Sequence, residues 1–198
     1  MKKILLILVL LFMSYALRVT SYIQGQVGNV KKVVMIIAQD GFRDEELLQP
    51  KNFLEKQGIE VKVASTTLAT AKGMLGARVK PDILVKDINV RDFDAIIFVG
   101  GMGASQYWYD PLAHKLAQDA VNTGKILGAI CIAPVTLAEA GILKDKRVTC
   151  WSSEAGKLKA KGADYTALPV EKDGNIITAS GPSAANQFAE EILKALLY

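Results

Sequence analysis

Histidine is all but missing from this chain: its 198 residues hold one, His114, and only two cysteines, Cys131 and Cys150. Those scarcities exclude whole classes of chemistry. A cysteine nucleophile whose histidine base comes later in the chain has no candidate here, because no histidine follows Cys131. A zinc-type centre finds no ligand set at a usable spacing, and no other cofactor is implied. His114 stands in Asp110-Pro111-Leu112-Ala113-His114-Lys115, a proline-led helix start, and reads as a surface residue. No acidic residue occurs before Asp40, and the formal net charge is only +4. Lys2 and Lys3 supply part of it, which leaves about +2 on the rest, too little for nucleic-acid binding. The alternating lysines of Lys157-Leu158-Lys159-Ala160-Lys161 fit a solvated helix face, with a membrane-surface helix as the lesser alternative. The glycines at 100, 101 and 103 lack the third glycine of a dinucleotide fingerprint, and no Gly-Lys-Ser/Thr follows. Internal repeats and low-complexity tracts are absent.

What is present is apolar residue in quantity. Hydrophobic residues make up 51% and charged ones 22%, enough at this length for one domain with a full core plus a short appendage. The appendage is N-terminal. Met1-Lys2-Lys3 and the apolar run from Ile4 to Met13, with Ser14-Tyr15-Ala16 after it, read as a signal peptide over residues 1–16. The run falls short of the roughly 20 residues a spanning helix needs, so an uncleaved, outward-facing anchor is the second reading. No cysteine lies near that site, so a lipoprotein is not indicated. Residues 17–30 read as a linker and 31–198 as the folded domain of an exported protein.

From Lys31 onward, strand-like and helix-like runs alternate, which predicts an α/β domain with a parallel sheet. Strands are expected at Lys32 to Ala38, Glu60 to Ala64, Ala95 to Val99, Ile126 to Ala129, Arg147 to Thr149 and Ile176 to Ala179. Helices are expected at Glu45 to Gln57, Asp110 to Thr123, Ala133 to Ala140 and Ser183 to Leu197. The stretch from Thr66 to Asp92 has weak periodicity and reads as a hairpin or excursion. In such sheets a ligand site lies outside the carboxyl ends of the strands. That rule gathers Gln39 to Glu46, Val99 to Gly103 and Cys131 on one edge.

Cys131 is the residue this edge singles out. A short apolar strand ends at Ile130, and Ala133-Pro134 opens a helix directly after it. A thiol on such an elbow projects above the sheet edge, where the helix N-terminus favours a thiolate; the alternative is an inert core cysteine. The glycine cluster is either a plain tight turn or the source of the Gly101 N–H that forms an oxyanion hole with that of Ile132. Asp44-Glu45-Glu46 is either an acidic first helical turn or the source of a carboxyl facing the thiol. In the second case thiolate and carboxylate repel, the carboxyl stays protonated, and it donates to the sulfur and shuttles protons. Cys150 reads as a structural thiol, with a disulfide or resolving partnership with Cys131 as the alternative.

Phe98-Val99-Gly100-Gly101, Ala129 to Pro134 and Glu171 to Pro182, in that order, resemble the ThiJ/PfpI superfamily, particularly its Parkinson-disease protein-deglycase branch. The resemblance implies a flavodoxin-like, doubly wound, mostly parallel sheet sandwiched by helices, a homodimer, a reactive elbow cysteine, and a glutamate after the first strand. Alignment of Gly41 to Leu47 makes that glutamate Glu46 and turns Glu45 elsewhere. Two positions depart from the pattern: Ile132 replaces the histidine that follows the cysteine in the protease-like branch, and Trp151 stands where the deglycase branch often has a histidine. The expected pocket includes Gly100 and Trp151, although Trp151 also fits a buried core position. The expected function is a stress-related enzyme of glyoxalase or deglycase type, in which Cys131 and Glu46 act on small reactive carbonyls or their adducts. A redox-sensing or chaperone-like role through Cys131 oxidation is the alternative, and PfpI-type cysteine peptidase activity the third.

Overall fold

Val33-Val34-Met35-Ile36 is apolar at every position, the pattern of a strand covered on both faces. In the structure, a computed structural model that describes residues 30–198, it is an interior strand of the main sheet. The expected signal segment (1–16) and the expected linker (17–30), apart from Val30, lie outside the described residues. Among the described residues, no helix is long and apolar enough to cross a membrane.

The strands are β1 (Lys32–Ile36), β2 (Asp40–Phe42), β3 (Glu60–Ser65), β4 (Ala71–Gly73), β5 (Arg78–Val79), β6 (Ile83–Leu84), β7 (Ala95–Phe98), β8 (Ile126–Ile130), β9 (Arg147–Val148), β10 (Asp164–Tyr165), β11 (Val170–Asp173) and β12 (Ile176–Ala179). The helices are α1 (Asp44–Lys56), α2 (Pro111–Asn122), α3 (Pro134–Glu139), α4 (Ala155–Ala160) and α5 (Ala185–Leu197). The main sheet runs β11-β12-β8-β7-β1-β3-β6, parallel throughout except for β11, which pairs antiparallel with β12. Alternate residues of each strand face opposite sides. Val34, Ile36, Ile96, Phe98 and Leu127 pack with Leu116 and Ala117 of α2, Leu137 of α3 and Leu158 of α4. Val33, Met35, Ile97 and Ile130 pack with Leu47 and Leu54 of α1 and Phe188 and Ile192 of α5. Helices thus cover both faces, as expected of a flavodoxin-like sandwich.

Local chemistry sets the element ends. Asp110 caps α2 by accepting from Leu112 N–H at 2.9 Å, and Pro111 occupies the first turn, where its missing donor costs nothing.

Several expectations need correction. The strand expected at Arg147 to Thr149 is present but ends at Val148, and it pairs with β10 in a separate two-stranded sheet. Its extension is cut off because Thr149 N–H turns to Thr178 Oγ1 at 2.9 Å instead of a carbonyl. The main sheet's outer positions belong to β6 and β11, which the pattern reading did not identify; both are short edge strands. The excursion after β3 contains the hairpin β4–β5, which joins β2 in a three-stranded sheet, before the chain returns as β6. The parallel strands β1, β7, β8 and β12 therefore bring the loops at 39–43, 99–103, 131–133 and 180–182 to one edge.

Candidate active site

Cys131 follows β8 directly, and its N–H extends the pairing with β12 by donating to Ala179 O at 2.9 Å. The chain then turns sharply: Cys131 has φ 65°, the left-handed region that non-glycine residues avoid at a cost of order 1–3 kcal/mol. Two hydrogen bonds hold the strained residue on either side, since its carbonyl accepts from Trp151 N–H at 2.8 Å. Ala133 N–H donates to Ile130 O at 3.1 Å, and Pro134 opens α3. This is the expected nucleophile elbow.

Glu46 lies in the first turn of α1 and is fully buried against the thiol. Gly100 makes this approach possible. A Cβ there would overlap Glu46 Oε2 and lie 2.5 Å from Cys131 Cβ and 2.7 Å from Ile130 O. Gly101 has φ +96°, and a Cβ there would fall on Arg43 N. Arg43 N–H in turn donates to Gly100 O at 3.0 Å. The glycine cluster is thus a close-approach device rather than only a tight turn.

The electrostatics allow one negative charge where two groups could ionise. Burial pushes the Glu46 carboxyl up to about 7, opposed by the thiol, the Arg43 charge and the Gly100 N–H. Neither Glu46 oxygen closes a hydrogen bond of proper geometry, so those neighbours stabilise its charge only weakly. Burial, and then the charge of Glu46, push the Cys131 thiol up to about 12, while the Gly101 and Ile132 N–H groups pull it down. The expectation of an acidic thiol is corrected to this extent: beside an ionised Glu46 the thiol keeps its proton, and thiolate requires that the proton sit on Glu46.

The three acids of α1 have three fates. Asp44, buried, accepts from Leu75 N–H at 2.8 Å and Ala77 N–H at 2.7 Å and so anchors the β4–β5 turn. Glu45 takes Arg43 Nε at 2.8 Å and Nη2 at 3.0 Å. Glu46 alone faces the thiol.

Cys131 opens into a cleft of about 210 Å³ lined by Arg43, Met74, Gly101, Met102, Ile132, Trp151 and Pro182. Trp151, 46% exposed, is wall and not core. Gly181 gives its ring room, since a Cβ there would stand 2.8 Å from Trp151 Cε3. Met102 N–H donates to Met74 Sδ at 3.4 Å across the mouth. His114 is half-buried, not on the surface, and its Nε2 lies 2.7 Å from Trp108 O, outside the cleft lining. Trp108 Nε1–H donates to Ile132 O at 3.1 Å and steadies the residue after the nucleophile. Cys150 is free and fully buried, and burial pushes its thiol up to about 12; no disulfide joins it to Cys131. Among the described residues, no group of three His, Cys, Asp or Glu is placed to hold a metal.

Sequence reasoning did not identify Arg43, Met74, Met102 or Pro182 as cleft residues. Arg43 carried a signal, a cation directly before the acidic run at a strand end. Met74 carried none, because its turn is placed by Asp44 from another part of the chain.

The chain is similar to known proteins in sequence and in fold. An uncharacterized protein of Methanocaldococcus jannaschii is 39% identical over 99% of this chain and 98% of its own length. A Caenorhabditis elegans protein named as a glutathione-independent glyoxalase is 31% identical over 84% of this chain and 89% of its own. Other relatives carry the name deglycase. The crystal structure of a ThiJ/PfpI domain protein from Brachyspira murdochii superposes with a TM-score of 0.83 at 32% identity, over 86% of this chain and 98% of that one. Residues 31–195 match the DJ-1/PfpI family, and the chain belongs to that family.

Proposed function

We propose that the protein is a cysteine-dependent enzyme acting on small reactive carbonyls, of glyoxalase or deglycase type. The observation that carries this reading is the pairing of a strained elbow thiol with a fully buried carboxyl across the side-chain-free Gly100. The names of the glyoxalase and deglycase relatives support it.

Methylglyoxal serves as the worked substrate. The Cys131 sulfur forms a bond to the aldehyde carbon, the C=O π pair moves to oxygen, and that oxygen takes the proton held on Glu46. The Gly101 and Ile132 N–H groups offer donors while charge develops on the oxygen. Glu46, now a carboxylate, removes the proton from the former aldehyde carbon to give an enediolate and returns it to the neighbouring carbon, while the hydroxyl proton passes from the first oxygen to the former ketone oxygen. The result is a thioester, which water hydrolyses to lactate, releasing Cys131. Methylglyoxal plus water thus becomes lactate with no external oxidant.

Conversion of methylglyoxal to lactate tests the reading. Cys131→Ser abolishes it, and equal turnover by wild type and Cys131→Ser overturns it. Glu46→Gln separates the two roles of the carboxyl: its amide still donates to the sulfur, so alkylation of Cys131 persists while turnover is lost.

A second reading shares the geometry. The same donors around Cys131 would hold a sulfinate after oxidation by peroxide, as a redox sensor requires. In that case Cys131 takes up oxygen well before the fully buried Cys150 in intact-mass measurements; equal uptake rejects it.

A further inference from the structure

Cys131 and Glu46 account for bond making and proton transfer, yet neither explains the cation in the cleft. Arg43 is the one charged residue lining it, among Met74, Gly101, Met102, Ile132, Trp151 and Pro182. Its backbone is locked by the hydrogen bond to Gly100 O, in the turn that passes Cys131. Glu45 holds its guanidinium in a fork through Nε and Nη2, and Nη1 has no hydrogen-bond partner among the described residues. A guanidinium fixed in this way, with donors unspent and apolar walls around it, fits a planar anion far better than a neutral group. The cleft volume of about 210 Å³ suits a small occupant beside the thiol.

We infer that Arg43 is a specificity-determining residue that receives a carboxylate, so that small carbonyl compounds bearing a carboxylate next to the group Cys131 attacks bind in preference to neutral ones. This rests on the proposed carbonyl chemistry for the identity of the attacking group. Glyoxylate is the smallest such compound. Cys131 sulfur bonds to its aldehyde carbon, the oxygen takes the Glu46 proton, and the carboxylate lies on Arg43; the addition is reversible and redox-neutral. The Arg43 charge also favours ionisation of both Glu46 and Cys131. Bound carboxylate offsets that charge and keeps the proton on Glu46 until it is needed.

Two matched pairs of probes test this. Iodoacetate and iodoacetamide alkylate Cys131 without any carbonyl chemistry and differ in charge. The wild-type rate ratio, iodoacetate over iodoacetamide, falls by about tenfold or more in Arg43→Gln and in the Arg43→Gln, Glu45→Gln double variant. Arg43→Lys, which keeps the charge without the fork, lies between. The double variant removes both charges, so the effect is not exposure of Glu45. A ratio unchanged within about twofold in the double variant overturns the inference. Glyoxylate and glyoxal form the second pair, read as protection of Cys131 from iodoacetamide. Wild type is protected by glyoxylate at roughly tenfold lower concentration than by glyoxal, and Arg43→Gln loses the difference. Equal protection of wild type by the two compounds also overturns the inference. If neither protects while the iodoacetate preference persists, the carbonyl reading fails and Arg43 stands as a carboxylate receptor.

Discussion

Glu46 is a fully buried carboxyl with no properly formed hydrogen bond, and its titration is written into the stability of the fold. Its pKa rises from 4.5 to about 7 on folding because burial penalises the charge. The native state therefore holds its proton more tightly than the unfolded chain. The contribution is fully present below pH 4.5 and is lost as pH rises through about 7. The loss amounts to at most about 3 kcal/mol. Glu46→Gln removes it: in urea melts the variant matches wild type at the acid end and exceeds it at pH 8, whereas a variant less stable than wild type at pH 8 contradicts this. Gly100→Ala acts on the same pair from the other side. Its Cβ meets the carboxyl and the nucleophile together, so it destabilises by about 1–3 kcal/mol and slows Cys131 alkylation. Gly156, in α4, has nothing within 4 Å of a Cβ, and Gly156→Ala stabilises by about 0.5–1 kcal/mol. Thermal melts of the two alanine variants check the contrast. At this scale the sequence was informative where a reactive side chain ends an apolar run, as Cys131 does. It was silent on Met74, whose turn is held by Asp44 from another part of the chain.

At the scale of elements, Asp44 ties the first turn of α1 to the β4–β5 turn and so sets where Met74 stands over the cleft. Asp44→Ala removes both bonds and frees Leu75 and Ala77 N–H. The expected cost is about 2 kcal/mol, with hydrogen exchange at those two amides accelerated while the amides of β8 are unchanged. Unaltered exchange at Leu75 and Ala77 contradicts the anchoring role. Central strands were legible because Val33 to Ile36, Ala95 to Phe98 and Ile126 to Ile130 are continuously apolar. The edges were not. Val170-Glu171-Lys172-Asp173 carries three charged residues and pairs along one side only, so its strand character comes from β12 rather than from its own residues. The early end of β9 is similar in kind, since Thr149 N–H leaves the ladder for the Thr178 hydroxyl, which no periodicity reveals.

For the molecule as a whole, the sheet order places β1, β7 and β8 inside and β6 and β11 outside. Native-state hydrogen exchange follows that order: amides of the central strands open only with global unfolding, and those of β4, β5 and β6 open at lower free energy. Uniform protection across the sheet contradicts it. The architecture was legible because alternating strands and helices leave few arrangements of a parallel sheet, and the loops at its carboxyl edge then share one site.

Cys131 and Glu46 lose one proton between them near neutral pH, and the reactive thiolate is the form of the pair in which the remaining proton sits on Glu46. The pH dependence of Cys131 alkylation by iodoacetamide in the full chain tests this most directly. The alkylation rate is expected to rise with a midpoint near about 7, where the pair loses its first proton, and then to stay level to about pH 10, because the division of the remaining proton between the two groups no longer changes. A rate with no step near 7 that rises only beyond about pH 9 would mean that the proton never passes from the sulfur to Glu46, and would contradict it.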